Sequence, residues 1–157
     1  MGRIHKLRYP SVTRVLVRQA RCMLINAAST AWRLAAIRGG VVSRRALVRL
    51  GISRCKLRNQ LDAARWQMLG QAVVLHSGPL TREQRCRAAL INCGPRVALT
   101  SVTAAEMYGL RGWECPEVHV LVPVGVRPPR IVDVPVVLHR TRHWDDADLH
   151  PTRTHHG

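Results

Sequence analysis

Aromatic residues are scarce in this sequence: phenylalanine is absent, and the 157 residues include only two tyrosines and four tryptophans. An aromatic core is therefore excluded, and the core has to be built from Val, Leu, Ile and Ala. Apolar residues make up 46% of the chain, an ordinary share for a globular protein. A chain of this length buries roughly 68–70% of its unfolded surface, so we expect a folded protein of modest size.

Long apolar runs and paired cysteines are also missing. No apolar run reaches the roughly 18 residues that indicate a membrane-spanning helix, so no membrane partner is expected. The five cysteines are an odd number without a CxxC pair, which indicates neither a disulfide framework nor a zinc site. Reduced thiols are typical of the cytoplasm, and we predict that location.

The motifs of common enzyme classes are absent. The sequence has neither a GxxxxGK phosphate loop nor a GxSxG nucleophile elbow. A metal-dependent nuclease needs clustered carboxylates and an acidic-x-Lys pair, but neither lysine, Lys6 or Lys56, has an acidic residue before it. His139 and His143 flank the end of a predicted strand instead of sharing a helix, so zinc is not indicated. We predict no enzyme activity, no cofactor and no metal.

Acidic residues are almost absent from the first part of the chain. Of the nine Asp and Glu residues only Asp62 lies within residues 1–65, which hold 15 of the 25 Lys and Arg residues. The net charge is +14 for residues 1–65 and +2 for residues 66–157. Arg outnumbers Lys by 23 to 2, and guanidinium groups bind phosphates and guanine edges through paired hydrogen bonds. This distribution predicts a polyanion-binding module joined to a nearly neutral part.

Residues 29–64 carry the start and stop signals of three short helices. Ser29 or Thr30 can cap the first helix, which ends at Gly39-Gly40. Its predicted apolar side consists of Trp32, Ala35 and Ala36.

A three-residue turn separates the second and third helices. Ser43 caps the second helix, from Arg44 to Leu50, and Gly51 supplies a left-handed stop. Ser53 caps the third helix, from Arg54 to about Ala64. Ile52, just before this cap, can pack on Leu57 in a hydrophobic staple. Such a tight turn is typical of a helix-turn-helix.

The segment WQMLGQAVVLH follows the third helix and predicts two short strands around Gly70-Gln71. A hairpin in this place is the wing of a winged helix-turn-helix. The predicted apolar side of the third helix consists of Leu57, Leu61 and Ala64. The opposite side carries Cys55, Arg58, Asn59 and Asp62.

This arrangement predicts that the third helix lies in the major groove of double-stranded DNA and contacts bases with its N-terminal half. Arg58 has the geometry to bind guanine and Asn59 to bind adenine. Phosphate and supporting contacts are predicted for Arg44, Arg45, Arg54, Lys56, Arg65 and Gln67. The alternative is a solvated basic face on an ordinary three-helix module.

Residues 79–142 predict a smaller mixed domain. Thr81 and Gln84 form a capping box before the helix REQRCRAALINC, whose buried side is predicted to consist of Cys86, Ala89, Leu90 and Cys93. RVALT predicts a strand and SVTAAEMYG a short helix. VHVLVP (Val118–Pro123) and VPVVLHR (Val134–Arg140) predict the two strands of a hairpin, joined by the loop VGVRPPR.

The predicted fold class is α+β, with an N-terminal winged helix-turn-helix followed by a small mixed α/β domain. For the first residues the alternatives are a basic amphipathic helix on DNA or on an anionic membrane surface, and a poorly ordered extension. The predicted divisions are the basic extension 1–28, the winged helix 29–78, the mixed domain 79–142 and the tail 143–157.

The run GGVVSRRALVRLGISRCKLRNQLDAARW, with the wing after it, is similar to the N-terminal domain of AbiEi-type antitoxins of abortive-infection (type IV) toxin–antitoxin systems. The continuation PLTREQRCRAALINCGPRVALTSVTAAEMYGLRGW, with VHVLVPVG and VVLHRTR, resembles the middle region of related actinobacterial proteins. Those proteins carry a C-terminal nuclease-like domain of the very-short-patch-repair type. The resemblance covers roughly residues 29–152 and rests on the overall pattern.

The resemblance implies a winged-helix repressor that binds its own promoter and opposes a nucleotidyltransferase toxin. Its DNA-binding positions correspond here to the wing and to Arg44, Arg45, Arg54, Lys56 and Arg58. The relatives continue well beyond ADLHPTR, whereas this sequence ends at Gly157. Two alternatives follow: a truncated, non-catalytic remnant of a nuclease-like protein, and a protein–protein module that neutralises a toxin.

Overall fold

A computed structural model of the protein describes residues 32–33, 35–36, 39–113, 115–127, 131 and 133–145. The predictions for the extension 1–28, for the caps Ser29 and Thr30 and for most of the tail 143–157 lie outside these residues. The described residues form a mixed α+β fold with four helices and two three-stranded sheets. The predicted class, α+β, is therefore confirmed.

The strands and helices are short. In chain order they are β1 (Val41–Ser43), α1 (Arg44–Arg49), α2 (Arg54–Asp62), β2 (Gln67–Leu69), β3 (Ala72–Val74), α3 (Arg82–Cys93), β4 (Ala98–Leu99), α4 (Ser101–Met107), β5 (Val118–Pro123) and β6 (Val136–Thr141). Ahead of β1, the described residues Trp32, Arg33, Ala35 and Ala36 are also helical. Of the three predicted to share an apolar side, Ala35 is buried, but Trp32 and Ala36 are exposed. The prediction was wrong for these two. The helix contacts the core through Ala35, and the side chain of Ala36 is rotated from it by about 100° around the helix axis.

The first sheet has the order β1-β3-β2, and both of its strand pairs are antiparallel. Because side chains alternate along a strand, the pair Val42 and Val73 lies on one face and the pair Val41 and Val74 on the other. The first pair packs with α1 and α2. The resulting helix-side core consists of Ala35, Val42, Ala46, Leu47, Ile52, Leu57, Val73 and Leu75.

The caps of α1 and α2 follow the sequence signals. Ser43 Oγ accepts a hydrogen bond from Ala46 N (3.1 Å) and Ser53 Oγ accepts one from Lys56 N (3.2 Å). Gly51, between the helices, has a φ of 81°, which a residue with a Cβ rarely adopts. The two serine caps are therefore confirmed, and Ile52 and Leu57 lie together in the helix-side core as the staple predicts. The turn is one residue longer than predicted, because α1 ends at Arg49 and four residues, 50–53, separate the helices.

The end of α2 differs from the prediction. The helix ends at Asp62, and Ala64 is exposed with a φ of 50°, in the left-handed region. Ala64 N and Arg65 N instead donate to Leu61 O (2.9 Å) and Gln60 O (3.0 Å) and close the last turn. Ala64 was therefore wrongly assigned to the apolar side. The chain turns there, and the half-buried Trp66 packs against the helix-side core instead.

Helix α3 lies between the two sheets. It packs against β1 and β3 of the first sheet and against β4 and β5 of the second. Ala88 and Ala89 are fully buried, and their small side chains let the helix approach both sheets closely. The capping box of Thr81 and Gln84 is present as predicted. Cys86, Ala89 and Cys93 are buried as predicted, and Leu90 is half-buried.

A single central core joins the two halves of the chain. It contains residues from both sides of the predicted boundary at 78/79, and that boundary stays a prediction. Its members are Val41, Leu69, Ala72, Val74, Cys86, Ala88, Ala89, Cys93, Val118, Val120, Val122, Ile131 and Val134.

The second sheet has the order β4-β5-β6, and β6 runs parallel to β5. The predicted hairpin of these two strands is therefore wrong. Twelve residues, 124–135, connect them, which is long for a hairpin and enough for a parallel crossover. Ile131 and Val134 from this connection are buried in the central core. β6 starts beside the beginning of β5, where Val136 is the partner of Val118.

Candidate nucleic-acid interface

Basic side chains crowd the outer sides of α1 and α2. Residues 39–65 hold seven Lys and Arg residues and one acidic residue, and neither helix has an acidic residue in its first turn. Lys56 is half-buried, and the other six are exposed. We call these seven the basic surface: Arg44, Arg45, Arg49, Arg54, Lys56, Arg58 and Arg65.

Helix α2 presents the two residues predicted to contact bases. Leu57 is buried in the helix-side core, which fixes the rotation of the helix. Arg58 and Asn59 consequently project away from the core and are exposed, as is Arg54 one turn before Arg58. Within the described part of the chain neither guanidinium group forms an ion pair. Both are thus open to a phosphate or a base.

The hairpin turn lies beside the start of α1. Residues Ser43 and Ala72 are partners across β1 and β3, so Gly70 and Gln71 lie at the end of the sheet where α1 begins. Arg44 N donates to Gln71 O (2.9 Å). The structure therefore brings Arg44 and the turn of the predicted wing together.

Gln67, also predicted to contact DNA, has its amide engaged within the fold. Its Nε2 atom donates to His76 O (3.1 Å) and to Gly78 O (2.7 Å). These bonds attach the beginning of β2 to the segment that follows β3. A DNA contact by Gln67 stays a prediction.

Asn92 is a buried polar residue that the sequence analysis missed. It is 6% exposed, and its Oδ1 accepts from Gln71 N (2.8 Å). Its Nδ2 donates to Leu69 O and to Ala88 O, both at 2.8 Å. The only signal in the sequence is a polar amide within the apolar stripe that ends at Cys93.

Gln84 makes a second link between the halves. Its Nε2 donates to Gly39 O (2.8 Å), before β1. Its Oε1 accepts from Thr81 N (3.1 Å) and lies 3.2 Å from His76 Nε2. One side chain therefore caps α3 and also contacts the segments before β1 and after β3.

A polar network surrounds the start of α3. Arg82 Nε donates to Glu106 Oε2 (2.8 Å) in an ion pair, and its Nη2 donates to Thr103 Oγ1 (3.2 Å) and Glu117 O (2.9 Å). Glu106 Oε1 accepts from Cys115 N (3.3 Å). These bonds tie α3, α4 and the start of β5 together.

Next to this network, two histidines and a thiol lie in contact. Cys115 Sγ donates to Glu117 Oε2 (3.0 Å) and lies 3.6 Å from His119 Nε2, while His119 Nδ1 lies 3.0 Å from His139 Nε2. The hydrogen bond to Glu117 raises the pKa of the Cys115 thiol and lowers the pKa of the Glu117 carboxyl. The thiol is thus held protonated and is a poor nucleophile. The sequence analysis missed this cluster. In the residues described, no group of three or more His, Cys, Asp and Glu side chains is arranged to hold a metal ion.

Apolar side chains are exposed after α4. Tyr108 is 75% and Trp113 is 68% exposed, and Met107 and Leu110 are partly exposed beside them in the chain. The backbone here is fixed by a bond from Leu110 N to Ala105 O (2.9 Å). We call residues 107–113 the aromatic loop.

The chain matches no protein-family model, and no curated protein is significantly similar to it. Among the helices that the structure describes, none is long and apolar enough to cross a membrane.

Proposed function

We propose that the protein binds double-stranded DNA through a winged helix-turn-helix formed by α1, α2 and the β2–β3 hairpin. The observation that carries the proposal is the exposed side of α2, where Arg54, Arg58 and Asn59 project from a helix that follows α1 after a four-residue turn. The element order β1-α1-α2-β2-β3 and the sheet order β1-β3-β2 support it. They put a two-residue hairpin turn next to the start of α1.

Electrostatics supports the same partner. Seven basic residues and one acidic residue lie within residues 39–65, and DNA carries one negative charge for about every 1.7 Å of its axis. Arg58 and Asn59 are proposed to contact base edges. The remaining residues of the basic surface are proposed to contact phosphates, which fixes the protein on the duplex without reading sequence.

The biological role that we propose is that of an antitoxin-type transcriptional repressor, which binds the promoter of its own toxin–antitoxin operon. The support for this role is the resemblance of residues 29–152 to AbiEi-type antitoxins and related proteins. The proposed protein partner is a toxin of the nucleotidyltransferase type. We propose no catalytic role, so the full chain with Mg²⁺ or Mn²⁺ should leave plasmid DNA uncut.

Binding to a random duplex tests the DNA proposal. If five or six phosphates are neutralised, the logarithm of the binding constant should fall against the logarithm of salt with a slope near −5, at roughly 0.9 per phosphate. Fluorescence anisotropy of a labelled duplex between low and moderate salt measures this slope. A slope near zero would exclude the DNA proposal.

A reporter assay tests the repressor role separately. The promoter of the chain's own operon, fused to a reporter, should be repressed by the wild-type protein and released by Arg58→Ala. A wild-type protein that binds DNA and leaves this promoter active would exclude autoregulation while preserving DNA binding.

A second candidate function is a protein–protein module that neutralises a toxin. The aromatic loop favours it, since Trp, Tyr and Arg are the residues that dominate protein interfaces and Tyr108, Arg111 and Trp113 are exposed there. Co-expression with a nucleotidyltransferase encoded by the adjacent gene tests it: Trp113→Ala should abolish protection while Arg58→Ala preserves it. Equal protection by the wild type and Trp113→Ala would exclude this surface.

A further inference from the structure

We propose that Asn92, on α3, is a positioning residue for the basic surface: it holds the turn Gly70-Gln71 and, through Gln71, the first residue of α1, Arg44. The inference rests on the proposed DNA-binding function. It assigns to α3, outside the proposed winged helix-turn-helix, a part in DNA binding.

The contacts of Asn92 use both ends of its amide. Oδ1 accepts from Gln71 N (2.8 Å), and Nδ2 donates to Leu69 O and Ala88 O at 2.8 Å each. The side chain is 6% exposed. A buried amide is costly unless it is hydrogen-bonded, and here its bonds fix one orientation. Two of the three partners belong to the β2–β3 hairpin, Leu69 at the end of β2 and Gln71 in the turn, so α3 determines where that turn lies.

Gly70 fits against this amide. Its φ is 63°, and a Cβ built on it would clash with Asn92 Oδ1. Glycine is therefore required twice, once for the left-handed backbone and once for the close approach of the turn to α3. The two residues form a matched pair across a separation of 22 positions in the chain.

Gln71 passes this constraint on to α1. Its N–H is bonded to Asn92, and its carbonyl oxygen accepts from Arg44 N (2.9 Å). Arg44 is the first residue of α1 and is exposed. Asn92, Gln71 and Arg44 thus form a continuous hydrogen-bonded path from the middle of the molecule to the basic surface. An ion pair between the Arg44 guanidinium group and a phosphate depends on the position of the Arg44 backbone.

An apolar residue at position 92 would fill the same space. Residues 91 and 93 are Ile and Cys, and a leucine at 92 would bury more apolar surface. It would also leave Gln71 N–H and Leu69 O without the partner they have now, and a lost partner of this kind is costly. The amide therefore specifies the place of the turn in addition to stabilising the fold.

The first experiment compares Asn92→Ala with Val120→Ala in the full chain. Val120 is fully buried in the central core and belongs to β5, so its variant lowers stability without touching the turn. Both are measured well below their melting temperatures on a 20-base-pair random duplex. Asn92→Ala should weaken binding about tenfold and reduce the salt slope by about one, the effect of losing one phosphate contact. Val120→Ala should leave both quantities unchanged.

The second experiment asks whether Asn92 acts through Arg44. In a double-mutant cycle, Arg44→Ala should reduce the salt slope by about one in the wild-type background and leave it unchanged in the Asn92→Ala background. Arg49→Ala, at the other end of α1, should have the same effect in both backgrounds. Additivity of Arg44→Ala and Asn92→Ala would overturn the proposed path.

Gly70→Ala perturbs the same contact from the hairpin, and it replaces Asn92→Ala if that variant does not fold. Its added Cβ should displace the turn and weaken binding as Asn92→Ala does. Hydrogen exchange of the Gln71 amide reports the loss of the bond in either variant. If the wild type does not bind the duplex, the proposed function fails and this inference fails with it. If the wild type binds and both variants bind equally well, only this inference is overturned.

Discussion

The arginines of α2 and those of α3 have different partners. In residues 39–65, Arg54 and Arg58 are exposed and form no ion pair within the described part of the chain. In α3, Arg82 is paired with Glu106 and bonded to the backbone before β5, and Arg87 is paired with Glu83. Arg54 and Arg58 are thus presented to solvent, whereas Arg82 and Arg87 are bonded within the fold.

The difference follows from the acidic residues. Asp62 is the only carboxylate within residues 39–65, whereas α3 contains Glu83 and reaches Glu106. An arginine without a carboxylate neighbour keeps its charge available for an external anion. The comparison teaches that the carboxylates within reach of a helix decide whether its arginines are bonded within the fold.

The largest expected effect comes from dividing the chain. Residues 1–78 alone should lack cooperative thermal unfolding, because removal of α3 exposes Val41, Leu69, Ala72 and Val74. The full chain should unfold in one cooperative transition. Circular dichroism during heating measures both. A cooperative transition of the 1–78 fragment near that of the full chain would show that the halves are independent domains.

The next largest effect is a difference in stability between two arginine-to-alanine variants, one at a paired arginine and one at an exposed arginine. Arg82→Ala should lower the free energy of unfolding by about 1–3 kcal/mol, because hydrogen bonds to a charged group are lost. Arg58→Ala should leave stability within about 0.5 kcal/mol, since Arg58 is exposed. Urea unfolding measures both values. If Arg58→Ala lowers the free energy of unfolding more than Arg82→Ala does, the proposed difference between the two arginines is contradicted.

Within the basic surface we expect a division between base and phosphate contacts. Arg58→Ala should weaken binding to a selected site by about 1–3 kcal/mol and relax the preference at one base pair. Arg45→Ala should weaken selected and random duplexes alike and reduce the salt slope by about one. A binding series on both duplexes separates the two. If Arg58→Ala weakens both duplexes equally, α2 does not read sequence through this residue.

The smallest expected effect is the pH dependence of the Cys115–Glu117 contact. The folded pKa of Glu117 is lowered, so its stabilisation is present above the usual value of about 4.3 and is lost as the pH falls further. The folded pKa of Cys115 is raised, so its stabilisation is present below about 8.5 and is lost as the pH rises beyond that. Relative to Glu117→Gln, the wild type should have its largest melting-temperature advantage between about pH 5 and 8.

His119 and Arg82 also face Glu117 and favour its ionised form. A His119→Gln variant compared with its own Glu117→Gln double variant therefore serves as the control. In that background the melting-temperature advantage should still decrease as the pH falls below about 4.3. A melting-temperature difference that stays constant from pH 3 to 10 would contradict the assignment of the contact.

The features that the sequence predicted are those determined within a few residues. Ser43, Ser53 and the pair Thr81 and Gln84 each bond to a backbone atom three positions away, so their local pattern is sufficient. The exposure of Arg58 follows in the same way from Leu57, because neighbouring helix positions differ by about 100°.

The features that it did not predict bring distant segments together. The bond between Asn92 and Gln71 spans 21 positions, and His119 and His139 are 20 apart. The parallel pairing of β5 and β6 goes together with the burial of Ile131 and Val134 in the central core, far along the chain from its other members. A hydrophobic pattern indicates that two strands exist, but it does not give the path of the chain between them.

The place of α3 between the sheets also affects folding during synthesis. The ribosome adds about 5–20 residues per second, so the first sheet is synthesised roughly one to four seconds before Cys93 is added. During that interval Val41, Leu69, Ala72 and Val74 have no α3 to pack against, and Gln71 has no amide to bind. We expect the nascent chain to stay unfolded, and open to proteases and chaperones, until α3 has left the exit tunnel. A chain whose synthesis ends before α3 is complete is a polycation without a native structure.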